Sequence, residues 1–348
     1  MKPDYKVPSM EEIRQIKHNG LKVVSTFSGG GGSSLGYKMA GYKVALACEF
    51  VPAAAETYKS NFPETVIDGR DVRDVTGKEL LERAKVEYRE LDILDGSPPC
   101  SSFSTAGSRE KGWGKTKGYS ETSQRTDDLF FEYARLIEEM QPKVFVAENV
   151  SGLVKGKAKG YFLEILHRLK SCGYKVKCKV LNAAWLGVPQ SRQRTIFVGV
   201  RNDLGFEPVY PKPDAFCYSL KDAIGDSKDG ITAENDISKY AIGKEWDKIG
   251  KPGTQSEKYF QLVRPAWEKP CPTITATSAI VGSASVTHPS QKRKFSIQEI
   301  KRICSFPDDY ILQGTYAQQV ERMGRAVPPV MMKQIASRLA LEIKRGQH

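Results

Sequence analysis

Three short runs hold residue types suited to covalent catalysis. Gly96-Ser97-Pro98-Pro99-Cys100 ends in a thiol, and its two prolines stiffen the approach and fix where that thiol points. Glu148-Asn149-Val150 offers a carboxyl group. Gln190-Ser191-Arg192-Gln193-Arg194 opens an extended segment whose alternation aims Arg192 and Arg194 to one face. A thiolate, a carboxyl and guanidinium groups at adjacent strand ends make a covalent-catalysis site. A lone buried cysteine is ordinarily inert, but the Gly/Ser-rich flank of Cys100 argues against burial. None of the four histidines (18, 167, 288 and 348) is placed to partner the thiol, so a Cys-His protease is not expected.

A second group of residues suits a nucleoside. Phe27-Ser28-Gly29-Gly30-Gly31-Gly32-Ser33 follows an apolar run and opens a helical one, so backbone amides can approach a ligand closely at the helix N-terminus. The dinucleotide pattern G-x-G-x-x-G is not met, because Ser34 stands where its third glycine would be. Glu49 comes twenty residues after Gly29, where an acid accepts from ribose hydroxyls. Phe50 can stack on an adenine face, and Asp71 can accept from its amino group. Together, and in this order, these residues favour an adenosine-containing cofactor. The absence of a P-loop lysine disfavours phosphate transfer.

These residues need a scaffold that collects strand ends at one edge. Leu21–Phe27, Lys43–Cys48, Leu91–Leu94, Val144–Ala147, Lys175–Leu181 and Thr195–Val200 read as strands. Ala53–Tyr58, Leu129–Met140 and Tyr161–Leu169 read as helices between them. The alternation predicts an α/β fold with a doubly wound, mostly parallel sheet, whose ligands gather at the carboxyl ends of its strands. After Arg201 the βα pattern stops, and a Pro-rich, irregular stretch reads as a second, smaller domain. Helices return at Ser296–Ile303 and Pro328–Ile343. The expected organisation is therefore a catalytic domain over 1–201, a smaller domain over 202–290, and helices over 291–348 that rejoin the first. Ser101–Gln124 is too long and polar for a tight connection and is expected to be a lid.

A net charge of +12 points to a polyanionic partner. Lys155-Gly156-Lys157-Ala158-Lys159, Lys292-Arg293-Lys294 and Lys301-Arg302 concentrate that charge. Seven cysteines, an odd number without a C-x-x-C pair, argue against a disulfide framework and a structural zinc site, and fit a reducing compartment. No 18-residue apolar run is present, and the polar N-terminal stretch does not resemble a secretory signal, so a cytoplasmic protein without a membrane partner is expected.

The ordered set resembles the DNA (cytosine-5) methyltransferase family. It comprises Phe27-Ser-Gly-Gly-Gly-Gly, Gly96-Ser-Pro-Pro-Cys100, Glu148-Asn-Val150 and Gln190-Ser-Arg-Gln-Arg194. Arg293-Lys-Phe-Ser-Ile-Gln-Glu299 with Phe306-Pro-Asp-Asp309, and Gly324-Arg-Ala-Val-Pro-Pro329, complete it. The resemblance implies a class I methyltransferase (Rossmann-like) fold with a target-recognition domain over 202–290, and S-adenosylmethionine as donor, with no metal. It implies double-stranded DNA with a flipped cytosine as substrate, a monomer, and a prokaryotic or phage setting of the restriction-modification kind. Cys100 would attack C6, Glu148 would hold N3, and Arg194 would position the base with Arg192 supporting the pocket. Phe27, Ser28, Gly29, Gly31, Gly32, Glu49, Phe50, Asp71, Val72, Leu129, Arg325 and Ala326 would surround the donor. Ser104, Arg264, Lys292 and Arg293 would contact DNA.

Two positions depart from the family pattern. The acid usual two residues before the Phe is Ser25, and the Asn usual after Gly324 is Arg325. Losing an acid and gaining a guanidinium moves the local charge by about two units, each worth roughly 4 kcal/mol at ~4 Å in a partly buried site. This is awkward for a cationic sulfonium and raises an alternative donor, carboxy-S-adenosyl-methionine, whose extra carboxylate would pair with Arg325 and yield 5-carboxymethylcytosine. The other reading is that Arg325 turns to a phosphate or a nearby acid, with ordinary S-adenosylmethionine as donor. A tRNA cytosine-5 methyltransferase and a catalytically silent DNA-binding scaffold are the remaining alternatives.

Overall fold

The computed structural model describes residues 2–99, 128–154 and 159–346, with the backbone of 117–119 and 122–124. Cys100, Ser104, most of the expected lid and Lys155–Lys157 lie outside the described residues. The chain divides into two compact units. One holds 16–181, 193–211 and 332–348; the other holds 1–15, 182–192 and 212–331.

The sheet unit is built on β1 (Lys22–Thr26), β2 (Lys43–Cys48), β3 (Val66–Asp68), β4 (Ile93–Gly96), β5 (Val144–Val150), β6 (Tyr174–Asn182) and β7 (Gln193–Arg201). Their spatial order is β3-β2-β1-β4-β5-β7-β6. The β1–β2, β2–β3, β1–β4 and β4–β5 pairs are parallel, and β7 runs antiparallel to β5. Val23, Val24, Ile93, Leu94, Val144 to Ala147 and Ile196 to Val198 are buried. Unbroken apolar runs of this kind belong to central strands covered on both faces. The chain winds outward one way through β2 and β3 and the other way from β4, so the switch in strand order falls between β1 and β4.

Helices α2 (Gly32–Met39), α3 (Pro52–Asn61), α4 (Gly77–Ala84), α5 (Leu129–Met140) and α6 (Lys159–Ser171) cover this sheet. In α5 the buried set Leu129, Phe130, Tyr133, Ala134, Leu136, Ile137 and Met140 has the spacing of one helical face. Phe130 meets Phe197 edge-on at 5.4 Å, tying that helix to β7. Helix α4 begins at a capping box in which Thr76 and Glu79 satisfy each other's backbone amides.

The other unit contains α1 (Met10–Arg14), α7 (Leu220–Ile224), α8 (Ala241–Ile249), α9 (Ile297–Ile303) and α10 (Tyr316–Arg325), and α11 (Pro329–Arg345) starts in it. The expected boundary at 291 is therefore corrected. Helices α9 and α10 belong with residues 212–290, and only 332–348 return to the sheet unit. Buried polar anchors explain the difference. The Arg293 side chain is 0 % exposed, and its Nη1 and Nη2 each donate at 2.7 Å to the Glu299 carboxylate on α9. Its remaining donors reach Gln291 Oε1 and the carbonyls of Lys294 and Asp229. Arg264 is also buried, stacked 3.7 Å over the Trp246 ring and donating to the Pro289 carbonyl. Both arginines were expected on DNA; their donors are instead used inside the protein. Lys294 is buried as well, so the run Lys292-Arg293-Lys294 is not a surface cluster. Lys292 alone reaches outward, to Asp247.

Arg293→Met should leave Glu299 as an unpaired buried charge and cost about 3–5 kcal/mol, read as a shifted urea midpoint. A variant that keeps wild-type stability but loses DNA affinity would restore Arg293 to the nucleic-acid surface.

Candidate active site

The end of β1 turns sharply. Phe27 takes φ +53°, Gly29 φ +54° and Gly31 φ +87°. A left-handed aromatic residue is uncommon and is held only where its surroundings fix it. Ser28 supplies one restraint, donating its amide to the Cys48 carbonyl at 3.1 Å. Glu49, at the end of β2, supplies another. Its Oε2 accepts from the Gly29 amide at 2.7 Å and its Oε1 from the Val51 amide at 2.8 Å. Gly31 then caps α2, whose first residue is Gly32.

A cleft of about 430 Å³ opens beside this loop, lined by Phe27, Cys48, Glu49, Phe50, Arg70, Asp71, Val72, Pro99 and Leu129. Six residues expected around an adenosine (Phe27, Glu49, Phe50, Asp71, Val72 and Leu129) thus line one cleft. Asp71 accepts from the Arg73 amide at 3.0 Å, and Arg73 pairs with both Asp71 and Asp128, which immediately precedes α5. Cys48, Arg70 and Pro99 complete the lining without having been anticipated, although each adjoins a residue that was.

At the carboxyl end of β5, Glu148 forms an ion pair with Arg194, Oε1 to Nε 2.7 Å. Burial lowers the pKa of the Arg194 guanidinium, with Glu148 acting in the opposite sense. Asn149 donates from Nδ2 to the Pro98 carbonyl at 3.1 Å, which ties the end of β5 to the two prolines before Cys100. Asn149 belongs to the Glu148-Asn149-Val150 motif, and its partner, more than fifty residues back in the chain, has no local signal in the sequence.

Arg192 and Arg194 fall in different units and have separate partners. The extended segment breaks at Arg192, whose amide donates to the Gln190 carbonyl, and its side chain is 2 % exposed. Arg192 donates from Nη1 to the Ile274 carbonyl at 3.1 Å and from Nη2 to the Gly324 carbonyl at 2.9 Å. It braces its own unit through these two carbonyls. Arg325 and Ala326 end α10 in that same unit. There Arg325 is exposed, and its Nε and Nη2 stand 2.9 and 2.8 Å from Glu321 Oε1, one helical turn back.

Asp95 was not anticipated at all. It sits on β4 directly across from Ser25 in the β1–β4 register and is 2 % exposed. Its Oδ2 accepts from Ser33 Oγ at 2.8 Å and Ser25 Oγ at 3.2 Å, and its Oδ1 accepts from the Tyr37 hydroxyl at 3.2 Å. Burial pushes its pKa up to about 7, the three hydroxyl donors oppose that rise, and Glu148 adds to it.

The folded state therefore keeps a proton that the unfolded chain releases near the ordinary carboxylate range. The protein should lose stability as pH rises from about 4 to about 7 and level off above. Asp95→Asn should remove that dependence and raise the melting temperature above pH ~7, by a stabilisation on the order of a few kcal/mol. Thermal melts of both proteins across this range check it, and a destabilised Asp95→Asn protein at pH ~8 would contradict it.

The family model described as C-5 cytosine-specific DNA methylase matches residues 21–340. The type II methyltransferase M1.HphI of Haemophilus parahaemolyticus is 32% identical over 333 residues, covering 91% of this chain and 86% of that protein. M.Sau96I of Staphylococcus aureus is 32% identical over 368 residues, covering 97% and 80%. Among solved structures, an Escherichia coli prophage protein assigned as a DNA modification methyltransferase superposes with a TM-score of 0.74 at 21% identity, covering 93% of this chain and all of that one. A Spodoptera frugiperda DNMT2 variant gives 0.67 at 18% identity over the same shares. The mostly parallel seven-stranded sheet is thus a class I methyltransferase fold, and the chain belongs to the C-5 cytosine-specific DNA methylase family.

Proposed function

We propose that this protein methylates C5 of a cytosine within a specific double-stranded DNA sequence, by covalent catalysis through Cys100 on a flipped base. The observation that carries this reading is the Glu148–Arg194 pair beside the Asn149–Pro98 tether. It gathers a carboxyl group, a guanidinium and the chain leading into the thiol at one sheet edge. The other six thiols support it. Burial raises the pKa of each one, to about 12 for Cys48 and Cys178 and about 11 for Cys304, which lowers the thiolate fraction each presents.

In this reading Cys100 adds to C6 of the cytosine, which breaks the aromaticity and turns C4–C5 into an enamine. Glu148 holds the proton at N3, neutralising charge that builds in the ring, and Arg194 orients both Glu148 and the base. The bound donor supplies an electrophilic methyl group to C5. Loss of the C5 proton and expulsion of the thiol restore the ring. A base inside a duplex offers no access to these atoms, hence the flip.

The cleft fits S-adenosylmethionine, the donor that membership in a methyltransferase family implies. Glu49 would accept from the ribose hydroxyls. Phe50, Asp71, Val72 and Leu129 would bound the adenine, and Phe27 to Gly32 would follow the methionine portion. The structure favours ordinary S-adenosylmethionine over the carboxylated donor, because Arg325 has an acid on its own helix and a carboxyl group faces Ser25.

A duplex carrying 5-fluorocytosine in the recognised sequence should trap a covalent adduct at Cys100, absent in Cys100→Ser. A transfer observed on RNA alone, or no adduct with any duplex, would overturn the DNA assignment. Glu148→Gln should lower kcat by about 10²–10⁴-fold in single-turnover assays. With both donors offered, mass spectrometry of the DNA should show 5-methylcytosine, and 5-carboxymethylcytosine would reverse the donor choice.

A further inference from the structure

A buried acid without a cation normally moves toward neutrality or is kept because something cationic arrives. Among the described residues no basic side chain pairs with Asp95; its three partners are hydroxyls. Those hydroxyls come from the elements that frame the glycine loop, namely β1 (Ser25) and the first turns of α2 (Ser33 and Tyr37). Ser28, inside the loop, donates to the Ser25 carbonyl at 2.9 Å and to Ser25 Oγ at 3.2 Å. A hydrogen-bonded chain thus runs from the loop through Ser25 to Asp95. The parallel register makes this possible, because Ser25 and Asp95 are direct neighbours on adjacent strands.

We propose that Asp95 is the positioning carboxylate of the donor site: it holds the Phe27–Gly32 loop through Ser25 and Ser33, and supplies from β4 the buried negative charge that favours a cationic donor. The inference rests on the donor reading above and deepens it. Asp95 is closed off from the cleft, so it acts through the loop and through its field rather than by touching the donor. The role that an acid at position 25 would serve on β1 has passed to the next strand, and the local charge balance inferred from Ser25 alone is reversed.

The groups facing Asp95 set the pH response. Tyr37 comes from α2, Tyr58 from α3 and Tyr133 from α5, all buried phenols whose pKa values lie above the ordinary one. Glu148 on β5 opposes ionisation of Asp95, and Arg194 offsets Glu148. Donor binding should therefore expel the proton from Asp95, so donor affinity should fall as pH drops below about 7.

The test is titration calorimetry of the whole protein with S-adenosylmethionine and with S-adenosylhomocysteine, which lacks the sulfonium charge, between pH ~6 and ~8.5. For the wild type, S-adenosylmethionine affinity should weaken by up to about tenfold per pH unit below the midpoint, with a shallower slope for the thioether. Asp95→Asn should weaken S-adenosylmethionine by about tenfold or more at pH ~8, change S-adenosylhomocysteine less, and flatten the profile. Adding Ser25→Asp to Asp95→Asn returns the carboxyl group from the opposite strand and should recover both affinity and slope. The proposal falls if Asp95→Asn keeps wild-type affinity and pH profile. It also falls if both ligands weaken equally, with a lowered melting temperature and no rescue. Glu49→Ala separates the two levels. If it abolishes binding while Asp95→Asn has no effect, the role of Asp95 alone is refuted; if neither matters, the cleft is not the donor site and both readings fail.

Discussion

The parallel pairing of β1 with β4, and of β4 with β5, is the constraint on which the candidate site depends. Its register sets Thr26 beside Gly96 and Gly96 beside Ala147, so three chains leave the sheet at the same level. One becomes the glycine loop, one the prolines before Cys100, and one the Glu148-Asn149 corner. A one-residue slip in any of them would send every side chain to the opposite face. Close approach enforces the fit: a Cβ on Gly96 would come within 2.4 Å of the Tyr133 ring, whose hydroxyl donates to the carbonyls of Leu94 on β4 and Val146 on β5.

Acids at the strand ends of the sheet unit are held in two ways. Asp68 and Glu148 pair with arginines, whereas Glu49 is met by the amides of Gly29 and Val51, and Asp95 by the hydroxyls of Ser25, Ser33 and Tyr37. Neutral donors hold a carboxylate without cancelling its field, which suits a site for a cationic ligand. In the other unit the buried Arg293 and Glu299 cancel each other, and burial lowers the nearby His288 to about 4, so that imidazole stays neutral. Such a pair specifies how the irregular stretch meets α9 more than it adds net stability.

Much of the site was legible because its residues sit at element boundaries, where the pattern changes from apolar alternation to glycine, proline or acid. Phe27, Glu49, Phe50 and Asp71 follow that signal, Val72 and Leu129 come from the family resemblance, and all six line a single cleft. Arg264 and Arg293, which the resemblance puts on DNA, and Arg192 each find enough carbonyl, carboxylate or aromatic partners to be buried. Long-range partners of that kind leave no mark in local periodicity.

The sequence by itself determined the strand-and-helix alternation, the order of the motifs and the identity of the reactive groups, because each is local or ordered along the chain. Tertiary structure alone decided which of those groups meet. Ser25 looked like a missing acid, and only the register between strands seventy residues apart in the chain shows Asp95 facing it. Arg325 looked like surplus positive charge, and only its helical turn shows Glu321 beside it. Electrostatics depends on distance and burial, and neither is a property of the chain until it has folded.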